Sequence, residues 1–431
     1  MARLNECILY RNFEHGEILD KMAELMNAWE QKAPDLKEKE GLFFECANGL
    51  VETAGSYGFS GNLWHCYLTF LLVNNENAFS TACEIRGAVN GSINELALND
   101  FGVFKELYDF DLTVLDEAFG ISCCKVLGDY TNTGSNSKMF NSRIRDRICD
   151  LSKTLAAAES TEEFMKDMVQ FYKDFGVGKL GLHKAFRVGH DENDNVEIQP
   201  ITRIAHVKLE DLVGYEIPKQ KLIENTEAFV RGRKANNCLL FGDAGTGKSS
   251  SIKGILNRYY DEGLRIIEVY KHQFQDLNDV IAQIKNRNYK FIIYMDDLSF
   301  EEFEIEYKYL KAILEGGLGK RPKNVLIYAT SNRRHLIREK FSDKRELDDD
   351  LHNNDTVQEK LSLAARFGVT IYYGSPDKFQ FQGIVKALAE KYHLDMPEEE
   401  LLLEANKWEI SHGGLSGRTA SQFITHLLGR K

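Results

Sequence analysis

The spacing of apolar residues divides the chain into two parts. Up to about residue 176, apolar side chains recur every three or four positions, which predicts amphipathic helices. Residues 63–73 are apolar almost throughout, so we expect a helix buried on all sides there. The predicted helices cover residues 16–32, 42–56, 63–73, 77–86, 92–101, 104–108, 112–127, 143–158 and 161–175. This part is therefore predicted to be an all-helical domain.

Short apolar runs alternate with helical segments in the second part. The runs that we predict to be strands cover residues 238–241, 265–270, 290–295, 324–329 and 369–373. Buried strands separated by helices predict a parallel sheet covered on both faces. Residues 184–200 predict two short strands around a polar turn, and the spacing of residues 376–431 is helical again. We expect three domains, at residues 1–185, 186–375 and 376–431.

Composition and charge narrow the classes of function. The chain has 431 residues, a hydrophobic fraction of 43% and a formal net charge of −12. An acidic balance argues against a broad nucleic-acid or membrane surface. No apolar run approaches the roughly 20 residues of a membrane span, and no signal peptide is recognisable. The eight cysteines contain no C-x-x-C pair, which argues against a zinc site or a disulfide framework. We expect a cytoplasmic protein.

One glycine-rich loop carries the strongest chemical signal. LLFGDAGTGKSS places a short apolar strand directly before G-x-x-x-x-G-K-[ST]. In such a loop backbone N–H groups face a phosphate chain, Lys248 reaches its β- and γ-phosphates, and the Ser249 hydroxyl can ligate Mg²⁺. The alternative is a glycine-rich turn that contains a lysine by chance, but such a turn is not expected between a strand and a helix. The predicted nucleotide-binding residues are Gly242, Asp243, Ala244, Gly245, Thr246, Gly247, Lys248, Ser249 and Ser250.

Two aspartates end the predicted strand KFIIYMDD. Ligands bind at the carboxyl edge of open α/β sheets, so these acids and the loop are expected at one edge. Asp296 is predicted to hold Mg²⁺, directly or through water, and Asp297 to orient the attacking water. The alternative is that a strand-terminal aspartate only caps the following turn.

Three further polar residues occupy strand and helix ends. Asn332 follows the strand NVLIYATS, where its amide can hydrogen-bond a γ-phosphate or a water without changing the charge. Arg366 ends a helix just before a strand, and Arg418 opens a helix after two glycines. Each arginine taken alone is equally compatible with a solvated surface residue.

In this order, the five elements resemble the AAA+ ATPase module over residues 209–431. GDAGTGKSS resembles Walker A and FIIYMDD resembles Walker B. ATSN is similar to sensor 1, ARFG to the arginine-finger box and GLSGRTA to sensor 2, which implies those roles for Asn332, Arg366 and Arg418. DLVGYE resembles the segment that lines the adenine, which implies base contacts from Val213 and Gly214.

A narrower resemblance covers most of the chain. LVGYEIPKQKLIENTEAF, DDLSFEE and SGRTASQFI are similar to a group of bacterial AAA+ ATP-binding proteins, the domain-of-unknown-function family eight hundred and fifteen. GSINELALNDFGVFKELYDFDL resembles the N-terminal part of that family. The resemblance implies an α/β fold, an AAA+ type P-loop parallel sheet core with a C-terminal helical lid, preceded by an all-helical N-terminal domain. It also implies ATP and Mg²⁺ as cofactors.

One position departs from the superfamily pattern. Walker B usually ends in Asp-Glu, whereas here it ends in Asp296 and Asp297. Asp297 is one methylene shorter than glutamate, so Glu301 or Glu302 could supply the base instead. The arginine finger of this superfamily acts on the neighbouring subunit's ATP. The resemblance of Arg366 to it therefore implies a nucleotide-dependent homo-oligomer.

Several functions are compatible with these features. The first is an ATPase whose hydrolysis remodels an unidentified protein partner, held by the N-terminal helical domain. The second is a slow or non-hydrolysing nucleotide switch or adaptor, which the Asp-Asp ending favours. The third is a nucleic-acid-linked loader ATPase, which the acidic charge opposes. The fourth, a small-molecule kinase, is opposed by the sensor and finger elements.

Overall fold

The computed structural model separates into two compact units, Met1–His183 and Lys184–Lys431. It describes residues 4–88, 90–132, 142–202, 204–205, 207–300, 304–315, 322–333, 336 and 363–430. The first unit is helical, and the second combines a sheet, its covering helices and a group of C-terminal helices. The predicted fold class is thus confirmed, while the division into three domains stays a prediction.

The first unit contains ten α-helices within the described residues. They are α1 Glu17–Glu30, α2 Glu40–Tyr57, α3 Leu63–Asn74, α4 Ala78–Arg86, α5 Ile93–Asp109, α6 Thr113–Phe119, α7 Cys124–Gly128, α8 Ser142–Ala157, α9 Thr161–Phe175 and α10 Gly178–Leu182. Two predictions were wrong in detail. The segments predicted at 92–101 and 104–108 form the single helix α5. The segment predicted at 112–127 divides into α6 and α7, because Gly120 adopts a left-handed φ of 71° and ends α6.

The apolar helix α3 lies inside the core of the first unit. As predicted, it is buried on every side, including Trp64 and Leu68. The Trp64 indole N–H donates to the Leu107 carbonyl at 2.9 Å, which satisfies its polar atom inside the core. The Asn62 side chain accepts the His65 amide and caps the first turn. Apolar contacts and one satisfied donor therefore both fix this helix in place.

One buried carboxylate holds the N-terminal segment of the first unit. Asp100 on α5 is fully buried. It accepts hydrogen bonds from the backbone N–H groups of Ile8, Leu9 and Tyr10, the shortest being 2.7 Å from Leu9. Three consecutive backbone donors thus converge on one side-chain acceptor.

A seven-stranded sheet forms the centre of the second unit. Its strands are β1 Ala185–His190, β2 Val196–Pro200, β3 Cys238–Gly242, β4 Leu264–Glu268, β5 Lys290–Met295, β6 Val325–Ser331 and β7 Val369–Tyr373. Their order is β2-β1-β4-β5-β6-β3-β7. All neighbours are parallel except β1 and β2, which form an antiparallel hairpin. The hairpin extends the sheet because β1 pairs with β4 in parallel, a connection that the local pattern did not predict.

Helices pack on this sheet and form a lid after it. The helices associated with the sheet are α11 Glu216–Val230, α12 Lys248–Tyr259, α13 Leu277–Ile284 and α14 Glu306–Glu315. The lid consists of α15 Lys378–Lys391, α16 Glu398–Ser411 and α17 Gly417–Leu428, around a core that includes Phe381, Leu401 and Phe423. None of the helices among the described residues combines the length and the apolar character that a membrane span needs.

The strand order positions the polar strand ends. β6 lies between β5 and β3, so the carboxyl ends of these three strands are neighbours at one edge. Ligands of open parallel sheets bind outside this edge.

Candidate functional site

A tight loop joins β3 to α12 at the carboxyl edge of the sheet. Gly242 ends β3 with φ of 135°, and a Cβ at this position would lie 2.0 Å from the Tyr373 carbonyl oxygen of β7. Only glycine therefore allows β3 and β7 to approach this closely. Gly247 precedes α12 with φ of 92°, and the N-terminal end of α12 faces the loop. This end carries the partial positive charge that binds phosphate.

Lys248 lies beneath this loop with an exposed fraction of 6%. Its ammonium donates to the carbonyl oxygens of Gly242 at 2.9 Å and Asp243 at 2.5 Å. Burial lowers the pKa of Lys248 from its ordinary value, against the opposing attraction of nearby acids. The charged side chain is thus held at the loop by the loop's own carbonyl groups.

Three hydroxyl groups converge on Asp296, the first residue after β5. Thr330, Tyr294 and Ser249 donate to its Oδ1 atom at 2.5, 2.7 and 2.8 Å. Partial desolvation alone would raise the pKa of Asp296, but these hydrogen bonds outweigh it and lower the pKa below the ordinary value. The carboxylate is therefore charged at neutral pH.

Asp297 is fixed by the neighbouring strand β6. Its φ is 49°, and its backbone N–H donates to Thr330 Oγ1 at 3.0 Å. Its Oδ1 accepts a hydrogen bond of 2.7 Å from Asn332 Nδ2. The acid predicted to orient water and the amide predicted as sensor 1 are thus direct partners. The alternative bases, Glu301 and Glu302, lie outside the described residues.

The loop, the acids and the lid enclose a cleft of about 670 Å³, within the usual size of small-molecule sites. Val213, Ile384 and Leu388 supply apolar wall, whereas Lys248 and Arg418 supply positive charge. The lining residues are Asp211, Leu212, Val213, Tyr215, Ala244, Gly245, Thr246, Gly247, Lys248, Ser249, Ser250, Asp296, Asp297, Thr330, Asn332, Ile384, Leu388, Gly417, Arg418, Ser421 and Gln422. The cleft therefore offers an apolar part next to a charged part.

The last lid helix begins directly on the glycine-rich loop. The backbone N–H of Arg418 donates to the Gly245 carbonyl at 3.2 Å. Gly245 has φ of 75°, and a Cβ there would lie 3.0 Å from the Arg418 Cβ. The start of α17 and the loop thus meet backbone to backbone.

Four residues predicted for the site are not among those that line the cleft. Gly214 has φ of 81° in the turn before α11, and Gly242 lies in β3. The Asp243 carboxylate accepts the backbone N–H and the hydroxyl of Ser375, both at 2.8 Å, and these hydrogen bonds lower its pKa. The fourth residue is Arg366.

Arg366 forms an ion pair outside the cleft. Its Nε and Nη2 atoms lie 2.6 and 2.5 Å from Glu315 Oε1, at the end of α14.

Some residues that line the cleft or contact its acids were missed at the sequence level. Tyr294 lies in β5 two positions before Asp296, and residues at this spacing along an extended chain share a face; this spacing could have revealed the hydroxyl beside the acid. Ile384, Leu388 and Gln422 come from the lid, and no local pattern distinguishes them from other positions on amphipathic helices.

The donor set fits a magnesium ion. Mg²⁺ prefers oxygen ligands, usually one or two from the protein with phosphates and waters. Ser249 donates its hydrogen to Asp296, so lone pairs of the hydroxyl oxygen remain for a cation. Ser249 and Asp296 are the residues that would hold it.

Comparisons with known proteins found one family and several individual proteins to which the chain is similar. Residues 182–431 match the model of the family described as "Protein of unknown function (DUF815)". The chromosomal replication initiator protein DnaA of Limosilactobacillus fermentum is 25% identical over 197 residues, 43% of this chain; the chain spans 40% of that protein's length. The structure of the Thermotoga maritima RuvB Holliday junction branch migration motor matches 51% of this chain and 71% of its own, at 14% identity and a TM-score of 0.33.

Proposed function

The chain belongs to the DUF815 family, and we propose that it binds ATP with Mg²⁺ and hydrolyses the ATP to remodel a protein partner. Its fold is AAA+ ATPase-like, with a P-loop sheet and a helical lid. The observation that carries the proposal is the convergence of Lys248, Ser249 and Asp296 in one cleft.

Different residues of the cleft have different roles in the proposed transfer of a phosphoryl group to water. Lys248 and the N-terminal end of α12 hold the phosphates. Ser249 and Asp296 would hold Mg²⁺, which when bound would supply positive charge next to the phosphate oxygens. Arg418 adds positive charge at the lid side of the cleft.

The attacking water is placed by the pair of Asp297 and Asn332. The Asn332 amide donates to one carboxylate oxygen of Asp297, which fixes the plane of the acid and leaves its other oxygen to accept a proton from the water. Arg366 acts on the ATP of a neighbouring copy in a homo-oligomer. Its position outside the cleft of its own chain supports this role.

Binding and hydrolysis are tested separately by two variants. Lys248→Ala is expected to abolish binding of a fluorescent ATP analogue. Asp297→Asn is expected to keep the binding and to lower turnover by about 10²–10⁴-fold, the contribution of a positioned base. Asp279→Asn, an exposed acid on α13, is the matched control. If Asp297→Asn hydrolyses ATP at the wild-type rate, Asp297 is not the base.

The rate of ATP turnover by the wild-type chain distinguishes the remodelling ATPase from the nucleotide switch. The shorter acid at position 297 supports the second candidate, a nucleotide switch or adaptor with slow hydrolysis. Steady turnover that a partner stimulates favours the remodelling ATPase, whereas tight ATP binding with almost no turnover favours the switch. A pull-down with Asp297→Asn in ATP is designed to trap the partner. We assign the binding of this partner to the N-terminal helical unit.

A DNA-linked activity is a third candidate, supported by the similarity to a chromosomal replication initiator. The net charge of −12 opposes it. Binding to duplex or single-stranded DNA that persists at moderate salt would support this candidate, since phosphate contacts weaken steeply with salt.

We place the protein in the cytoplasm, because its eight cysteines are free thiols. A reducing compartment keeps thiols in this state.

A further inference from the structure

A tyrosine hydroxyl lies beside the acids of the cleft. Tyr294 belongs to β5 and is 4% exposed. Packing at this position needs only an apolar side chain, as at Ile292 and Ile293 on the same strand. A tyrosine adds a hydroxyl whose burial is costly unless it finds a partner. Its partner is Asp296 Oδ1 at 2.7 Å.

The same oxygen receives two more hydroxyl groups. Thr330, 1% exposed on β6, donates at 2.5 Å, and Ser249 in the first turn of α12 donates at 2.8 Å. Three donors from three different elements leave the carboxylate little freedom to rotate about its Cβ–Cγ bond. They also leave Oδ2 as the oxygen without a hydroxyl donor among the described residues.

We propose that Tyr294 and Thr330 are positioning residues that hold the Asp296 carboxylate in the orientation required for magnesium binding. They do not contact the ion, and they act through the acid. The inference rests on the proposed function, because it concerns the metal that accompanies the nucleotide.

Partners of a metal ligand have a large effect on affinity. A side chain that must be reoriented each time the metal binds loses conformational entropy, which weakens binding. Loss of a hydrogen bond that orients a metal ligand typically weakens metal binding 10–100-fold. Asp296 is exposed to the cleft, so without its donors the carboxylate would rotate and bind water. Loss of the Tyr294 hydroxyl is therefore expected to weaken Mg²⁺ binding by about tenfold.

The sheet contains a matched control for this tyrosine. Tyr328 on β6 is the direct cross-strand neighbour of Tyr294 and is fully buried. Its hydroxyl bonds to Asn225 and Thr226 of α11, both at 2.9 Å, and not to the acids. Tyr294→Phe and Tyr328→Phe thus remove the same atom at adjacent buried positions, and only the first touches the Asp296 network.

The experiment uses the full chain and a fluorescent ATP analogue. Mg²⁺ is titrated at fixed analogue concentration, and the half-saturating Mg²⁺ concentration is read from the binding signal, with binding in EDTA as the metal-free reference. Tyr294→Phe is expected to raise the half-saturating concentration about tenfold and to leave metal-free binding unchanged. Tyr328→Phe is expected to match the wild type in both measurements, whatever its thermal stability.

A second pair of variants covers the case in which Tyr294→Phe folds poorly. Thr330→Val removes the second hydroxyl at nearly constant volume, and Thr330→Ser keeps it. The expected result is weaker Mg²⁺ binding in Thr330→Val with recovery in Thr330→Ser. The same titration with Mn²⁺, followed by electron paramagnetic resonance, measures the metal directly.

The outcomes separate this inference from the proposed function. If the wild-type chain shows no Mg²⁺-dependent nucleotide binding, the proposed function itself is wrong. If the wild type binds and Tyr294→Phe and Thr330→Val keep its Mg²⁺ dependence, the positioning role is refuted while the function stands. Equal weakening in Tyr294→Phe and Tyr328→Phe would assign the effect to packing of the sheet and would also refute it.

Discussion

Replacing Gly242 by alanine tests whether the site depends on the close approach of two strands. Its added Cβ would lie 2.0 Å from the Tyr373 carbonyl oxygen and 2.7 Å from its carbonyl carbon. Both atoms belong to backbone, so no side chain can move aside. β3 and β7 would have to separate at their carboxyl ends, where Gly242 pairs with Tyr373 and Phe241 with Tyr372.

The cost follows from two contributions. A residue with a side chain at φ of 135° carries about 1–3 kcal/mol of backbone strain. Separating the strand ends removes about two ladder hydrogen bonds, each worth about 1 kcal/mol net. Gly242→Ala should therefore lower the free energy of unfolding of the second unit by about 3–5 kcal/mol.

Gly263→Ala is the control for strain without a clash. Gly263 has φ of 91°, and its Cβ would meet no atom within 4 Å. This variant should cost only the strain, so Gly242→Ala is expected to melt about 4–8 °C lower than Gly263→Ala in scanning calorimetry, at about 2–4 °C per kcal/mol. Hydrogen exchange should be faster in peptides that cover β7 for Gly242→Ala alone, with peptides of the first unit as internal reference.

Equal melting temperatures and equal exchange in β7 would refute the reasoning, because they would mean that the two strands tolerate a Cβ between them. Loss of nucleotide binding in Gly242→Ala without faster exchange in β7 would also contradict it. In that case the loop, and not the strand pairing, would be the part that needs glycine.

Three further predictions concern other parts of the chain. Asp100→Ala should destabilise the first unit by about 3 kcal/mol in thermal unfolding, because three backbone N–H groups lose their acceptor; Asp100→Asn, which keeps one acceptor oxygen, should cost less. The hydrogen bond that the Cys66 thiol donates lowers the pKa of the Cys149 thiol below its ordinary value, so iodoacetamide labelling of Cys149, followed by mass spectrometry, should reach its midpoint at a lower pH than in Cys66→Ala. Arg366→Ala should lower ATP turnover only where light scattering detects assembly with a non-hydrolysable ATP analogue; a strict monomer with and without the analogue would contradict a role in a neighbouring copy.

Local patterns predicted the elements of the site that are contiguous in the chain. The segment from Gly242 to Ser249 was recognisable because its glycines, lysine and serine have the fixed spacing that is typical of phosphate-binding loops. Asp296 and Asn332 were placed together because the carboxyl ends of parallel strands meet at one edge. Both residues line the cleft.

Features that depend on tertiary packing were beyond the sequence. The apolar wall formed by Ile384 and Leu388 requires the lid to lie over the loop, which no periodicity specifies. The ion pair between Arg366 and Glu315 joins residues 51 positions apart, and many acids were possible partners. The break after α6 depends on the left-handed conformation of Gly120, which a helical pattern alone does not reveal.

The backbone contact between Arg418 and Gly245 has a consequence for the order of events during synthesis. At about 5–20 residues per second, a ribosome adds Arg418 roughly 9 to 35 s after Gly245. Throughout that interval the glycine-rich loop can be present while the helix that rests on it has not been made. The nascent chain therefore passes through a period in which the strands can pair but the cleft has no lid. Under the proposed function, nucleotide affinity is therefore expected to be complete only when the final helix docks.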